Sequence, residues 1–349
     1  GGLADCLRSP TLLSAKRTDE ADSIRNGNEI VEKLLIDYAL FAVKLATVIV
    51  AIIVLFGALA FVFSRAKKGA ESGLKVKDLN QKYEDMGLAL NAAILPGKAF
   101  KQLLKQNKYQ HELREREGQR KNVYVLTFKG DLRASEVASL RESITAILMV
   151  ATPLDEVVVL LESLGGTVHD YGLAASQLSR IRDKGIRLTV AVDKLATSGG
   201  YMMASVADHI IAAPFAIIGS IGVVAQLPNF NRLLKSHDID FEQITAGEFK
   251  RTLTLFGENT EKGREKVRED IEEAHNMFKA FIAQHRGQVD IDRVATGEHW
   301  FGARALELKL VDELRTSDDY LHEASTSAHL YEVSYAYKKS WLEKLFPFL

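Results

Sequence analysis

Cysteine is almost absent. Cys6 is the single one among 349 residues, which excludes an intramolecular disulfide and a cysteine-clustered zinc site. The nine histidines include no His-Glu-x-x-His or other metal-ligand spacing. No dinucleotide fingerprint and no Walker loop occurs, so nothing points to a nucleotide cofactor. An excess of one charge is also missing: 45 basic residues face 46 acidic ones, which leaves no global footprint for nucleic acid. The Gly-x-Ser-x-Gly nucleophile elbow is absent around Ser198, because Ala196 occupies its first glycine position.

What the chain does have is a long apolar run. Leu45 to Phe63 is 19 residues without a charge, long enough to cross a bilayer as a helix. Tyr38 to Val43 extends it, and Lys44 can reach back toward the interface. The lipid bilayer is therefore an expected partner over residues 38–63. Ala58-Leu-Ala60 imitates a signal cleavage site, but the apolar run continues through Phe63, which favours an uncleaved anchor. Residues 1–30 are polar and without clear periodicity, and read as a non-native or disordered leader ahead of an anchor at 31–64. Residues 65–121 read as a charged linker rich in lysine, glutamate and glutamine, broken by Pro96-Gly97. Arg65, Lys67, Lys68, Lys75 and Lys77 outnumber Lys33 and Lys44 before the span, which by charge bias places the following residues in the cytoplasm.

Beyond the linker the pattern becomes α/β. Val123 to Phe128 opens as a strand, followed by a helix from about Ala134 to Met149. Asp155-Glu-Val-Val-Val-Leu-Leu-Glu162 has the short, branched, apolar character of a buried strand. It ends in Ser163-Leu-Gly-Gly166, then a helix from about Val168 to Lys184, then a strand, Arg187 to Asp193. That strand delivers the chain to Leu195-Ala-Thr-Ser-Gly-Gly-Tyr-Met-Met-Ala204. Such an order predicts parallel strands with right-handed crossovers, and it puts both Gly-Gly turns at carboxyl strand ends, where these sheets carry their sites. The glycines after Ser198 are expected to permit a tight turn into a helix whose free N–H groups face a developing oxyanion.

Ser198 is a candidate nucleophile, and Lys250, in Thr245-Ala-Gly-Glu-Phe-Lys-Arg-Thr-Leu-Thr254, is a candidate base. A serine hydroxyl needs a proton acceptor beside it, and lysine is a known variant of the usual histidine. The amine must be neutral to act, which burial favours. Phe249, Leu253, Leu255 and Phe256 supply an apolar setting for it. His209, eleven residues after Ser198, opens the next apolar strand and reads as structural.

The region from about Val123 to Leu314 resembles the signal peptide peptidase A superfamily, most closely its SohB branch of bacterial membrane-bound serine peptidases. The motifs that carry the resemblance are Gly165-Gly166, Ser198-Gly-Gly-Tyr, Gly219-Ser-Ile-Gly-Val223, Lys250-Arg-Thr, Thr296-Gly-Glu-His-Trp-Phe-Gly302 and Ala305-Leu-Glu-Leu-Lys-Leu-Val-Asp312. The resemblance implies a ClpP/crotonase-type fold with parallel ββα units, Ser198 as nucleophile and Lys250 as general base. It further implies that Ser220 hydrogen-bonds the lysine amine and that Gly166 and Gly199 donate the oxyanion-hole N–H groups. No cofactor and no metal is implied, the substrate is a peptide or protein, and the catalytic domain lies on the periplasmic side of the bacterial inner membrane. Two positions depart from the family. Leu164 stands where proline is usual, leaving the first oxyanion loop less pre-set in φ. Thr197 stands where alanine is common, and is expected to crowd the nucleophile with its hydroxyl.

Thr260 to His285 reads as one long helix with Thr260 as N-cap, and Ile271, Ala274, Phe278, Phe281 and Ile282 share a stripe of it. In the family such a helix packs against a neighbouring subunit, which implies a homo-oligomeric ring; packing within one subunit fits the stripe equally. The peptidase domain is expected over 122–325 and a tail over 326–349, whose end, Trp341 to Leu349, suits contact with membrane or a partner. Two other functions fit the α/β pattern. One is a crotonase-type acyl-CoA enzyme, the other a catalytically silent membrane scaffold.

Overall fold

The computed structural model describes residues 38–57, 73–116 and 120–337. The leader at 1–30, the rest of the expected anchor at 31–37 and 58–64, and the end of the tail from Trp341 to Leu349 lie outside the described residues. The chain divides into two compact units, Gly1–Ala70 and Glu71–Leu349. In the first, helix α1 (Tyr38–Gly57) has a mean hydropathy of 2.8 and leaves its side chains exposed. At 1.5 Å per residue its 20 residues reach about 30 Å, the thickness of a bilayer's hydrocarbon core.

The second unit opens with strand β1 (Gly73–Asp78), then helices α2 (Leu79–Ile94) and α3 (Gly97–Arg116). Next come β2 (Asn122–Gly130), α4 (Val137–Leu148), β3 (Glu156–Ser163), α5 (Val168–Asp183), β4 (Arg187–Val192) and β5 (Leu195–Thr197). After α6 (Gly199–Ser205) the chain forms β6 (His209–Ala212), β7 (Ile217–Gly219), the short α7 (Asn231–Ser236) and the long α8 (Glu261–His285). It finishes with α9 (Ile291–Val294), β8 (His299–Phe301), α10 (Gly302–Glu307), β9 (Glu313–Leu314), α11 (Ser317–Ser327) and β10 (His329–Ala336).

These strands form one sheet in the order β1-β10-β2-β3-β4-β6-β9, with β5 joined to β3 and β7, and β7 to β8. Apart from β1 and β8 the pairings are parallel, as the alternation of strands and helices leads one to expect. Strand β3 sits in the middle and buries both faces, which is why it reads as a continuous apolar run rather than an alternating one. Along β2 successive side chains serve opposite layers. Tyr124, Leu126 and Phe128 join the main core with α4, α5 and α6, whereas Val123 and Val125 pack with Leu79, Leu321 and Leu330. The sheet is therefore covered on both faces.

Two sheet strands lie where sequence alone read a linker and a tail. β1 falls within residues 65–121 and β10 within 326–349, and they pair antiparallel from Gly73↔Ala336 to Asp78↔Tyr331. β10 is itself parallel to β2, so it needs no sequence neighbour to be held. Elsewhere the elements agree with their sequence signals. Thr260 caps α8, its hydroxyl accepting from the Gly263 N–H at 3.1 Å. His209 opens β6 and pairs with Glu313 at 3.1 Å, the structural role its position suggests.

Candidate active site

Sheet register brings Ser198, Ser220, Gly166 and Gly199 to one place. Ser163 of β3 is level with Ala196 of β5, and Thr197 is level with Gly219 of β7. Ser198 and Ser220 thus leave neighbouring parallel strands together, and Gly165-Gly166 leaves the strand on the other side. The Ser198 N–H donates to the Gly219 carbonyl at 2.8 Å, and the Ser220 N–H to the Glu298 carbonyl at 2.6 Å. A Cβ built on Gly165 would lie 2.7 Å from the Gly199 nitrogen and 2.8 Å from the Ser198 Cβ, so the two glycine turns touch beside Ser198. A cleft of about 90 Å3 there is lined by Gly166, Ser198, Gly199, Gly222, Val223 and Phe278, among others. A larger hollow of about 500 Å3 lies among Arg182, Arg187, Asp208 and His285, at the amino ends of the strands, and touches none of these groups.

The tight turn is made by the serine rather than by the glycines after it. Ser198 has φ 51° and ψ −122°, the backbone of the first central residue of a type II′ turn, where glycine is usual. It sits directly before α6, its hydroxyl without a hydrogen-bond partner among the described residues. Gly199 and Gly200 are already helical, and their lack of a side chain serves close approach instead. A Cβ on Gly199 would lie 2.4 Å from Cγ of Tyr171, and one on Gly200 2.6 Å from the Ser163 carbonyl oxygen. The first N–H groups of α6 have no partner within the helix, and a helix start favours negative charge.

Tyr171 is the residue sequence reasoning passed over. It lies on the buried stripe of α5 with Ala174, Ala175, Leu178 and Ile181, and that 3–4 spacing marks it as core. Nothing in the spacing discloses its hydroxyl. The phenol shares a hydrogen bond of 2.6 Å with Ser163 Oγ and donates to the Asp131 carbonyl at 2.7 Å; Ser163 Oγ in turn accepts from the Gly165 N–H at 3.0 Å. Burial pushes the phenol above its ordinary value, against the Ser163 hydrogen bond that lowers it, so it stays protonated. A buried ring with both ends of its hydroxyl engaged thus props the first glycine turn from beneath. Thr197 does not crowd Ser198 as expected. Its hydroxyl turns away and donates to the Leu164 carbonyl at 3.0 Å.

Lys250 stands apart. Its N–H donates to the Gly247 carbonyl at 3.1 Å, but its side chain is exposed and bonds to no described residue. The apolar setting expected around it is exposed as well, including Phe249, Leu255 and Phe256. The cause is that residues 223–260 fold back on themselves rather than onto the sheet: Phe256 packs on Phe230 and Phe241, and Asn229 holds the Thr254 and Gly257 carbonyls. The Ser220 hydroxyl is likewise without a partner among the described residues.

A serine at positive φ entering a helix, beside two glycine turns that line the same cleft, is an arrangement compatible with an acyl-transfer hydrolase. The model of peptidase family S49 matches residues 180–331, and that of its N-terminal region matches residues 33–178. The chain belongs to peptidase family S49, and its activity is that of a serine protease; the acyl-CoA and silent-scaffold readings fall away. Among its relatives is a probable protease SohB of Haemophilus influenzae, 48% identical over 328 residues, spanning 90% of this chain and 93% of the relative. Another is a probable protease SohB of Buchnera aphidicola from Acyrthosiphon pisum, 48% identical over 89% of this chain and 93% of that one. Among solved structures, a lysine-to-alanine mutant of the 1510-N membrane-bound stomatin-specific protease, in complex with a substrate peptide, matches with a TM-score of 0.41 and 14% identity, covering 65% of this chain and 96% of that one.

Proposed function

We propose that this protease is a membrane-anchored endopeptidase in which Ser198 is the nucleophile and Lys250 its general base, acting on membrane-derived or unfolded peptides. The observation that carries the assignment is Ser198 itself, held at positive φ where the Gly166 and Gly199 turns meet in one cleft. In this mechanism the neutral lysine amine takes the Ser198 proton while Oγ attacks the scissile carbonyl. The N–H groups of Gly166 and Gly199 receive the oxyanion, and the ammonium returns the proton to the leaving amine. Water, deprotonated by the same amine, then releases the acyl group. Ser220, level with Ser198, is the group that orients the amine.

Within one chain Lys250 is not seated, and the reading assigns that step to assembly. A neighbouring copy covers the self-folded segment 223–260, whose exposed Val224, Phe241, Ile244 and Phe249 supply an apolar surface, and thereby buries the lysine against a serine. A homo-oligomeric ring satisfies this demand for every copy. The anchor is α1, single-pass, in a bacterial plasma membrane. Charge bias favours a cytoplasmic catalytic unit and family resemblance a periplasmic one, and protease protection in spheroplasts distinguishes them.

The test is labelling of the full-length protein with a fluorophosphonate probe. Wild type should label at Ser198 and hydrolyse peptides, and Ser198→Ala should do neither while keeping its fold. Equal labelling of both proteins would remove Ser198 from the mechanism.

A further inference from the structure

The loop that carries Gly166 holds few constraints of its own. Leu164 projects its side chain into solvent, 70% exposed, so it anchors nothing by packing. It also lacks the ring that would fix φ in a proline. The next two residues are glycines, the first at φ +86°, and glycine backbones rotate over most of the allowed map. Left to itself, the 164–165 peptide is free to swing, and with it the direction of the N–H two residues on.

One hydrogen bond opposes that swing from the nucleophile's own strand. Thr197 is buried, 6% exposed, and its hydroxyl donates to the Leu164 carbonyl at 3.0 Å. The same peptide is held at its N–H side by Ser163, whose Oγ accepts from the Gly165 N–H at 3.0 Å, and the next tie of the loop is the Thr167 N–H on the Leu132 carbonyl at 2.9 Å. Thr197 alone holds the carbonyl side of the 164–165 peptide, and it does so from the residue immediately before Ser198. The hydroxyl therefore locks the first glycine turn to the strand that delivers the nucleophile.

We infer that Thr197 is a positioning residue for the oxyanion loop, its hydrogen bond to the Leu164 carbonyl restraining a loop that no proline ring at 164 stiffens. This inference rests on the reading of Gly166 as an oxyanion donor. A side chain that fixes the donor acts mainly when the carbonyl oxygen becomes charged, so its loss falls on kcat and not on KM.

Four variants of the full-length protein in detergent micelles test it with one fluorogenic peptide. Thr197→Val, which keeps the shape and removes the donor, should lower kcat about three- to tenfold, the worth of a single buried hydrogen bond, with KM unchanged. Thr197→Ser should retain most of kcat. Leu164→Pro alone should change little, because the loop is already held. Leu164→Pro in the Thr197→Val background should restore kcat, an outcome that a purely structural role for the threonine does not produce. Unchanged kcat in Thr197→Val, or a double variant as slow as Thr197→Val, would overturn the inference. Fluorophosphonate labelling of each variant at Ser198 separates this from failure of the site reading, in which wild type itself would not label there.

Discussion

Replacing Gly199 by alanine tests the site with a single methyl group. Its Cβ would sit 2.4 Å from Cγ, 2.7 Å from Cβ and 2.9 Å from Cδ1 of Tyr171, against an ordinary carbon–carbon contact of about 3.5–4.0 Å. Something must move by about 1 Å. The ring has nowhere to go: it is fully buried, with its hydroxyl engaged by Ser163 and by the Asp131 carbonyl. If the ring yields, the chain of hydrogen bonds from Tyr171 through Ser163 to the Gly165 N–H breaks. If the first turn of α6 yields, the Gly199 N–H leaves the position that the proposed mechanism assigns to an oxyanion donor. Overpacking of this kind costs about 1–3 kcal/mol of stability, and loss of one oxyanion donor costs about 10²- to 10³-fold in kcat. The assay is kcat and KM on a fluorogenic peptide, beside the urea midpoint of the same detergent-solubilised protein. Gly172→Ala is the control, a position within α5 where an added Cβ meets nothing within 4 Å; it should keep kcat and gain up to about 1 kcal/mol. A Gly199→Ala protein with wild-type kcat and an unmoved urea midpoint would show that neither the ring nor the helix start is constrained as described.

The remaining predictions concern the base and the buried acid. Lys250→Arg should lose about 10²- to 10⁴-fold in kcat, because a guanidinium stays protonated and accepts no proton; an arginine variant that turns over normally would exclude lysine as base. Glu156 is buried, which raises its proton affinity, yet hydrogen bonds from Lys121, Thr189 and Tyr320 outweigh burial and hold it below the usual carboxylate range. Its contribution to stability is therefore complete above the unfolded-state value and lost as pH falls through the lower folded-state value. Glu156→Gln should lower stability near pH 7 by about 1–3 kcal/mol, read from a lower urea midpoint, and flatten the decline in acid. A variant whose acid profile matches wild type would show that the network titrates elsewhere.

How much of this was legible in the sequence depends on how far each feature reaches along the chain. The branched run of β3, the Thr260 cap of α8 and the glycine turns are local, and their positions follow from composition within a few residues. Register then did the rest for Ser198, Gly166, Gly199 and Ser220, because parallel pairing sets the ends of β3, β5 and β7 level. The β1–β10 pairing was not legible: it joins residues about 250 positions apart, and neither segment carries a local mark of which edge it will meet. Tyr171 was visible as a core residue but not as a support, since its hydrogen bonds run to residues fixed only by the sheet. Lys250 shows the opposite limit. Aromatic neighbours in sequence suggested burial, but Phe256 turns to Phe230 and Phe241, and the lysine is left in solvent.

The dihedral angles of Ser198 carry an evolutionary cost. A non-glycine residue held at φ 51° and ψ −122° sacrifices about 1–3 kcal/mol of folding free energy, a sizeable part of a domain's typical 5–15 kcal/mol. Glycine at that position would recover most of it. Under the proposed mechanism, change at this position therefore drifts toward a sturdier molecule with no nucleophile, and turnover is what the strain serves. A lineage that kept the anchor and the fold but no longer needed proteolysis would lose the hydroxyl first, and would descend in free energy as it did so.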